Sequence, residues 1–104
     1  MIRKNAPSYS LKKLQEVFCN EKVVKQRMTG SAYYGMVALN FNHQDVINAI
    51  QSLTEKDFYK SMPPENMRFS AWQDVYYKDY KGVCLYIKFQ VNDDNEIILS
   101  FKER

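Results

Sequence analysis

The sequence predicts an α+β fold in which an antiparallel β-sheet carries helices packed on one face. Apolar residues recur at helical spacing in the first half of the chain, whereas apolar and polar residues alternate in the second half. Helices come first and strands last, which favours an antiparallel sheet over alternating βα units. The 104 residues contain no linker or internal repeat, so we expect a single domain over 1–104.

The first predicted helix follows Ser8 or Ser10, because either serine can cap a helix with an apolar face. The residues that this helix would bury are Leu11, Leu14, Val17 and Phe18. Before it, residues 1–7 are expected to form a loose tail that ends at Pro7. After it, residues 22–27 are predicted to form a short strand.

Two further helices are predicted before the sheet. Thr29 begins one that runs to about Leu39. Asn42 and Asp45 have the spacing of a capping box, with Asp in place of the usual Glu or Gln, and begin the next. The residues at helical spacing that would be buried there are Val46, Ile47, Ile50 and Leu53. The same cap pattern over residues 54–57 supports at most one turn.

The remaining residues predict strands and their connections. Residues 58–62 are predicted to form the first strand of this half of the chain, which Pro63 and Pro64 stop. Residues 65–70 are expected to be a loop, residues 71–77 a second strand, and residues 78–82 a turn into a final hairpin. The sheet therefore lies almost entirely in the second half of the chain.

The final hairpin is the element whose register the sequence defines most fully. Alternate residues are apolar from Val83 to Val91 and again from Ile97, and a three-residue loop over 93–95 puts both apolar sets on one face. Asn95 is then expected in the left-handed conformation. This register places Tyr86 opposite Lys102 on the more polar face, with Cβ atoms roughly 5 Å apart.

Charge and hydropathy indicate the environment of the protein. The net charge is +3, and seven lysines and arginines face two glutamates in the first 27 residues. Such a basic segment favours an anionic partner, of which nucleic acid is the commonest. No apolar run has the length of a membrane span or a signal peptide, so we expect a cytoplasmic protein without a membrane partner. Cys19 and Cys84 are expected to be buried, reduced thiols.

Several kinds of active site are excluded by residue content. His43 is the only histidine and is expected at the surface or in a helix cap, which excludes a ribonuclease with two histidines. The sequence has no metal-ligand spacing and no glycine-rich phosphate loop, so neither a metal nor another cofactor is expected. The Lys, Tyr, Arg and Gln residues on the strands suit attack of a ribose 2′-hydroxyl on the adjacent phosphate, since cations stabilise the added charge and a tyrosine moves protons.

Three segments resemble the MqsR family of toxins from bacterial type II toxin–antitoxin systems. They are Asp-Phe-Tyr-Lys-Ser-Met at 57–62, Trp-Gln-Asp-Val-Tyr at 72–76 and Ser-Phe-Lys-Glu at 100–103. Their order and spacing are those of the family, and the resemblance covers about residues 8–104. It implies a RelE-like fold and a ribosome-independent mRNA endoribonuclease that favours short GC-containing sites. It also implies a cognate antitoxin, typically a zinc-binding protein with a helix-turn-helix domain that binds DNA.

The resemblance also implies a set of active-site residues. The catalytic set falls on Lys60, Gln73, Tyr86 and Lys102. We expect the two lysines to hold the scissile phosphate, Tyr86 to transfer a proton, and Gln73 to orient the phosphate or read a base edge.

Second-rank phosphate contacts are expected from Arg68 and Lys88. Many family members carry a histidine in the loop before the tryptophan. Here that loop lacks a histidine, and Arg68 is its nearest basic residue.

A second hypothesis keeps the fold without the chemistry. The chain would then be a non-catalytic module that binds RNA or an antitoxin through its basic N-terminal third. Retention of RNA binding without cleavage would distinguish this module from the enzyme.

Overall fold

The structure, a computed structural model, describes residues 4–64 and 71–104. Within these residues, four helices are followed by a four-stranded antiparallel sheet in the order β1-β2-β3-β4, which confirms the predicted α+β class. The elements are α1 Leu11–Val17, α2 Glu21–Arg27, α3 Gly30–Ala38, α4 His43–Gln51, β1 Phe58–Met62, β2 Gln73–Tyr80, β3 Val83–Val91 and β4 Ile97–Glu103. None of the helices in the described part of the chain is long and apolar enough to cross a membrane.

The caps of α1 and α4 are those that the sequence predicts. The Ser10 hydroxyl accepts from the backbone N–H of Lys13 and begins α1. At α4, Asn42 and Asp45 form a reciprocal capping box with both hydrogen bonds at 2.9 Å. These caps satisfy backbone N–H groups that the first helical turn leaves without partners, and so fix where each helix begins.

Residues 22–27 are helical, so the predicted strand is wrong. The Asn20 side chain accepts from the backbone N–H of Val23 at 3.0 Å and caps α2. The helix buries Val24 completely, whereas Lys22 and Lys25 remain exposed. Two adjacent valines favour a strand by propensity, but the Asn20 cap and the packing of one apolar face against the core decide the structure.

The first hairpin turn is shorter than predicted. Residues 78–80 belong to β2, and the turn consists of Lys81 and Gly82 with φ angles of 50° and 77°. Positive φ at both central residues is typical of a two-residue type I′ turn, whose twist matches the flanking strands. Lys78 then lies on the helix side of the sheet, where its Nζ is 3.4 Å from a carboxylate oxygen of Asp57.

The second hairpin has the predicted register. Val91 pairs with Ile97, and the loop residue Asn95 has a φ of 61°. The register continues along both strands, so that Tyr86 pairs with Lys102. The register was predictable because a shift of one residue would turn the apolar residues toward solvent.

The hydrophobic core lies between the helices and one face of the sheet, here called the inner face. Phe18 of α1 packs on Phe89 of β3 with ring centroids 5.7 Å apart. The other fully buried or nearly buried members include Leu14, Val24, Met36, Ile47, Ile50, Leu85, Ile87, Leu99 and Phe101. Because strands alternate, the residues between these strand positions point to the opposite, outer face.

The segment before α1 is attached to the sheet, which corrects the expected loose tail. Lys4 and Ser61 exchange backbone hydrogen bonds of 2.7 and 3.0 Å at the edge of β1. Farther along, the backbone N–H groups of Ser8 and Tyr9 donate to the buried carboxylate of Asp74 at 2.9 Å. The sequence pattern carries no sign of these contacts, since they join residues more than 50 positions apart.

Candidate active site

The outer face of the sheet has a central row of three paired residues. Tyr77 of β2 is opposite Tyr86 of β3, which is opposite Lys102 of β4. The Lys102 Nζ lies 5.2 Å from the centroid of the Tyr86 ring, within the range of a cation–π contact. The register of the β3–β4 hairpin therefore places an ammonium group and a phenol side by side, and the β2–β3 hairpin adds the Tyr77 ring.

A β-bulge in β1 adds two more side chains to this face. Phe58 pairs with Tyr76 while Lys60 pairs with Val75, so Tyr59 is an extra residue without a partner position on β2. The Tyr59 ring stacks on Tyr77 with centroids 4.6 Å apart and planes inclined by 19°. The Lys60 Nζ lies 5.2 Å from the Tyr59 ring. The bulge thus brings both residues to the outer face.

The two catalytic lysine candidates lie on opposite edges of the sheet. Lys60 is on β1 and Lys102 on β4, with two strands between them. Three strand spacings of about 4.8 Å separate the backbones by roughly 14 Å. Of the two lysines, only Lys102 is directly paired with Tyr86. The structure therefore brings together two of the four predicted catalytic residues and connects Lys60 to them through Tyr59 and Tyr77.

Gln73 is buried at one end of the outer face. Its side chain is only 2% exposed, and its Nε2 donates to the Pro63 carbonyl at 2.9 Å. The opposing residue on β3, Gln90, donates in the same way to the Ala71 carbonyl at 3.1 Å. The two glutamines therefore hold residues on either side of the 65–70 segment, four residues along β2 from Tyr77.

Of the two predicted phosphate contacts, the structure describes one. Lys88 is half-buried on the outer face, two residues from Tyr86 and opposite Val75 and Ser100. Arg68, by contrast, lies outside the described residues. Lys88 therefore extends the cationic surface beside the central row.

Two contributors to this face were not singled out from the sequence. The guanidinium carbon of Arg104 lies 3.9 Å from the centroid of the Tyr77 ring. Tyr77 was predictable as an outer-face residue from the strand pairing, whereas regular alternation counted from Lys60 would have placed Tyr59 on the inner face. Arg104 follows β4, and no sequence pattern indicates which ring it contacts.

Charges on the outer face of the strands are mostly positive. The cationic side chains are Lys60, Lys88, Lys102 and Arg104, and the carboxylate on the described strand positions of this face is that of Asp79. Such a distribution attracts polyanions. Among residues 4–64 and 71–104, no group of three His, Cys, Asp or Glu side chains is placed to hold a metal ion.

The fold and this face define a small α+β protein whose open sheet surface is cationic and aromatic. The family model described as "Motility quorum-sensing regulator, toxin of MqsA" matches residues 6–103. The mRNA interferase toxin MqsR of Escherichia coli (strain K12) is 37% identical over 78 residues, which cover 75% of this chain and 78% of that relative. The chain therefore belongs to the MqsR family of toxins.

Proposed function

We propose that this toxin is an mRNA endoribonuclease that cleaves RNA without a metal ion. The observation that carries the proposal is the Tyr86–Lys102 pair, which lies on the open cationic face of a chain related to a protein named an mRNA interferase toxin. RNA supplies its own nucleophile, so the protein needs to stabilise charge and move protons.

The reaction is an internal transesterification. The ribose 2′-oxygen forms a bond to phosphorus and loses its proton, the bond from phosphorus to the 5′-oxygen breaks, and the leaving 5′-oxygen gains a proton. The products are a 2′,3′-cyclic phosphate and a 5′-hydroxyl. Lys102 stabilises the charge that develops on the phosphoryl oxygens, and the Tyr86 hydroxyl takes part in proton transfer.

The other cations hold the RNA backbone on either side of the cut. The strands that carry Lys60 and Lys102 are roughly 14 Å apart, so Lys60 binds a neighbouring phosphate or reaches the scissile one only through its long side chain. Lys88 provides a second phosphate contact, and we retain Arg68 in the same role.

In this proposal, Gln73 is a positioning residue that holds the chain after β1. The Gln73 side-chain amide donates a hydrogen bond to the Pro63 carbonyl, so Gln73 fixes the chain that follows β1. It thereby also fixes the end of the strand that carries Lys60. A direct contact from Gln73 to RNA would require its side chain, which is almost fully buried, to become exposed.

The wider setting follows from the family. We propose that the chain acts in the cytoplasm on mRNA at short GC-containing sites and is neutralised by a cognate antitoxin. The family description names the toxin of MqsA, which supports an antitoxin of that type, a zinc-binding protein with a helix-turn-helix domain.

The decisive experiment is incubation of the purified protein with a long mRNA in EDTA without ribosomes, followed by mapping of the cut ends. We expect cuts at a short repeated sequence that leave 2′,3′-cyclic phosphate and 5′-hydroxyl ends. A matched RNA with a 2′-deoxy residue at the mapped site should stay intact. Cleavage that needs added metal, or 3′-hydroxyl ends, would contradict the mechanism.

A non-catalytic RNA- or antitoxin-binding module remains the second candidate. The observation that favours it is the exposed basic surface of α1 and α2, which carries Lys12, Lys13, Lys22 and Lys25. The module predicts that RNA is bound and stays intact, with and without ribosomes, and that charge reversal on these helices abolishes binding.

A further inference from the structure

The most distinctive feature of the outer face is the environment of the Tyr77 ring. Tyr59 stacks on it from the β1 side at 4.6 Å, and the Arg104 guanidinium lies 3.9 Å from its centroid. Tyr86 stands at 5.8 Å with its plane inclined by 50°. Tyr59, Tyr77 and Tyr86, here called the tyrosine ladder, thus cross three neighbouring strands on the face without helices.

Sheet stability alone accounts for part of this arrangement. Aromatic pairs across neighbouring strands stabilise sheets, and the ladder contains two such pairs. The ladder nevertheless keeps exposed aromatic surface, with Tyr59 at 40% exposure. Flat exposed rings between cationic side chains are what single-stranded nucleic acid uses for stacking.

Arg104 distinguishes a ligand site from a purely structural ladder. Within the described residues its guanidinium forms no salt bridge, and its one hydrogen-bond contact is a weak one to the Cys84 sulfur at 4.0 Å. Most of its five N–H donors therefore remain available. An exposed arginine whose guanidinium lies over a tyrosine ring can move by one stacking distance, because its side chain is long and no carboxylate among the described residues fixes it.

We propose that Tyr77 and Arg104 form a clamp for one nucleobase of the RNA, beside the scissile phosphate. The base inserts between the Tyr77 ring and the Arg104 guanidinium, whose N–H groups then contact a neighbouring phosphate or a base edge. Tyr77 is directly opposite Tyr86, so this base lies one strand from the Tyr86–Lys102 pair. The inference rests on the proposed function, since it names the subsite that positions the substrate for cleavage.

The test is binding of a short RNA that spans the mapped cut site, or a scanning set if none is mapped. Each RNA carries 2′-O-methyl groups, which prevent cleavage, and one 2-aminopurine, whose fluorescence falls on stacking. We expect Tyr77→Leu to weaken binding by roughly 5- to 150-fold and to remove the quenching at one position. Tyr77→Phe should retain both, and Arg104→Lys should lose quenching while keeping part of the affinity.

An abasic nucleotide at the quenched position completes a double-mutant cycle, in which the base and the Tyr77 ring are removed separately and then together. If the base sits on Tyr77, the abasic RNA binds the unmodified protein more weakly and Tyr77→Leu adds no further loss. Tyr34→Leu, at a tyrosine 73% exposed on α3, is the control that should leave binding unchanged. Thermal unfolding of each variant identifies any that loses its fold, and Tyr77→Phe and Arg104→Lys then decide the question.

The outcomes separate the clamp from catalysis. If Tyr77→Leu has normal affinity and KM, or if the losses from Tyr77→Leu and from the abasic nucleotide are additive, the clamp is overturned. The proposed RNA cleavage is not affected by either result. If 2-aminopurine is quenched at one position but the protein cuts no RNA, the clamp is supported and the proposed enzyme activity is overturned. Loss of antitoxin binding with RNA binding intact would show that the ladder serves a protein interface and overturns the clamp, and no RNA binding at all overturns both.

Discussion

Tyr86 and Lys102 face each other across β3 and β4, with the lysine Nζ 5.2 Å from the centre of the tyrosine ring. The hairpin loop sets this pairing, and the buried inner face beneath it, with Ile87 and Phe101, holds the register. The pair is therefore built by the 21 residues of continuous chain from Val83 to Glu103 and does not depend on any loop other than the one within this hairpin.

The first prediction concerns this pair. Lys102→Met and Tyr86→Phe should each lower the single-turnover rate of RNA cleavage by about 100- to 1000-fold, because the first removes charge stabilisation and the second proton transfer. Stability should change little in Lys102→Met, since the lysine is exposed. Lys56→Met, at an exposed lysine away from the outer face, is the control, and equal rates in all four proteins would refute the assigned roles.

Lys60 should behave differently from Lys102. Because the two backbones are roughly 14 Å apart, Lys60→Met should raise KM while leaving kcat close to the unmodified value. Steady-state kinetics on an RNA with a single mapped site makes this distinction. A fall in kcat as large as that of Lys102→Met would instead place both lysines at the same phosphate.

Gln73 offers a comparison with its neighbour across the sheet. Gln73→Leu leaves the Pro63 carbonyl without its partner, and we expect a loss of about 1–2 kcal/mol in the free energy of unfolding. Gln90→Leu does the same to the Ala71 carbonyl. Urea unfolding and kcat/KM should change by similar amounts in both variants. A much larger loss of activity in Gln73→Leu alone would show that Gln73 contacts RNA.

The predictable parts of the fold are those that local patterns specify. The Asn42–Asp45 box began α4 as expected, and the alternation after Val83 gave the register that pairs Tyr86 with Lys102. In both cases, one local arrangement satisfies the backbone and buries the apolar residues while the alternatives expose them.

The remaining parts depend on contacts between distant residues. The bulge at Tyr59 reverses the face that alternation assigns to it, and its stacking on Tyr77 depends on the pairing of β1 with β2. Arg104 reaches a ring two strands away. Residues 22–27 form the helix α2 rather than the predicted strand, because the cap at Asn20 outweighs the strand propensity of the two adjacent valines. The Tyr86–Lys102 pair was therefore visible in the sequence, whereas the contacts of Tyr59 and Arg104 with the Tyr77 ring were not.

Asp74 should be important for stability rather than for chemistry. Its carboxylate is fully buried and accepts from the backbone N–H groups of Ser8 and Tyr9. Asp74→Asn removes a charge-assisted acceptor, so we expect a loss of about 1.5–3 kcal/mol in unfolding free energy. Amide hydrogen exchange should be faster at residues 8 and 9. Unchanged exchange there would mean that the segment before α1 is held by other contacts, such as the Lys4–Ser61 bridge.

Tyr76 should make the protein sensitive to alkali. Burial, assisted by the charges of Asp74 and Glu55, raises the pKa of Tyr76 to about 12, whereas a tyrosine in the unfolded chain titrates near 10. The folded state therefore disfavours the phenolate: stability is full below about pH 10 and is lost progressively as the pH rises toward 12. A difference of two pH units corresponds to about 3 kcal/mol.

Replacement of the hydroxyl tests this directly. Among the described residues the Tyr76 hydroxyl has no hydrogen-bond partner, so Tyr76→Phe should be neutral or stabilising by up to about 1 kcal/mol at pH 8. At pH 11 the advantage should widen, because the variant has no phenol to ionise on unfolding. Urea unfolding at both values, with Tyr34→Phe as the exposed control, measures the difference. An advantage that does not grow with pH would mean that the Tyr76 hydroxyl meets a polar partner or solvent in the folded protein, and that the raised pKa is not realised there.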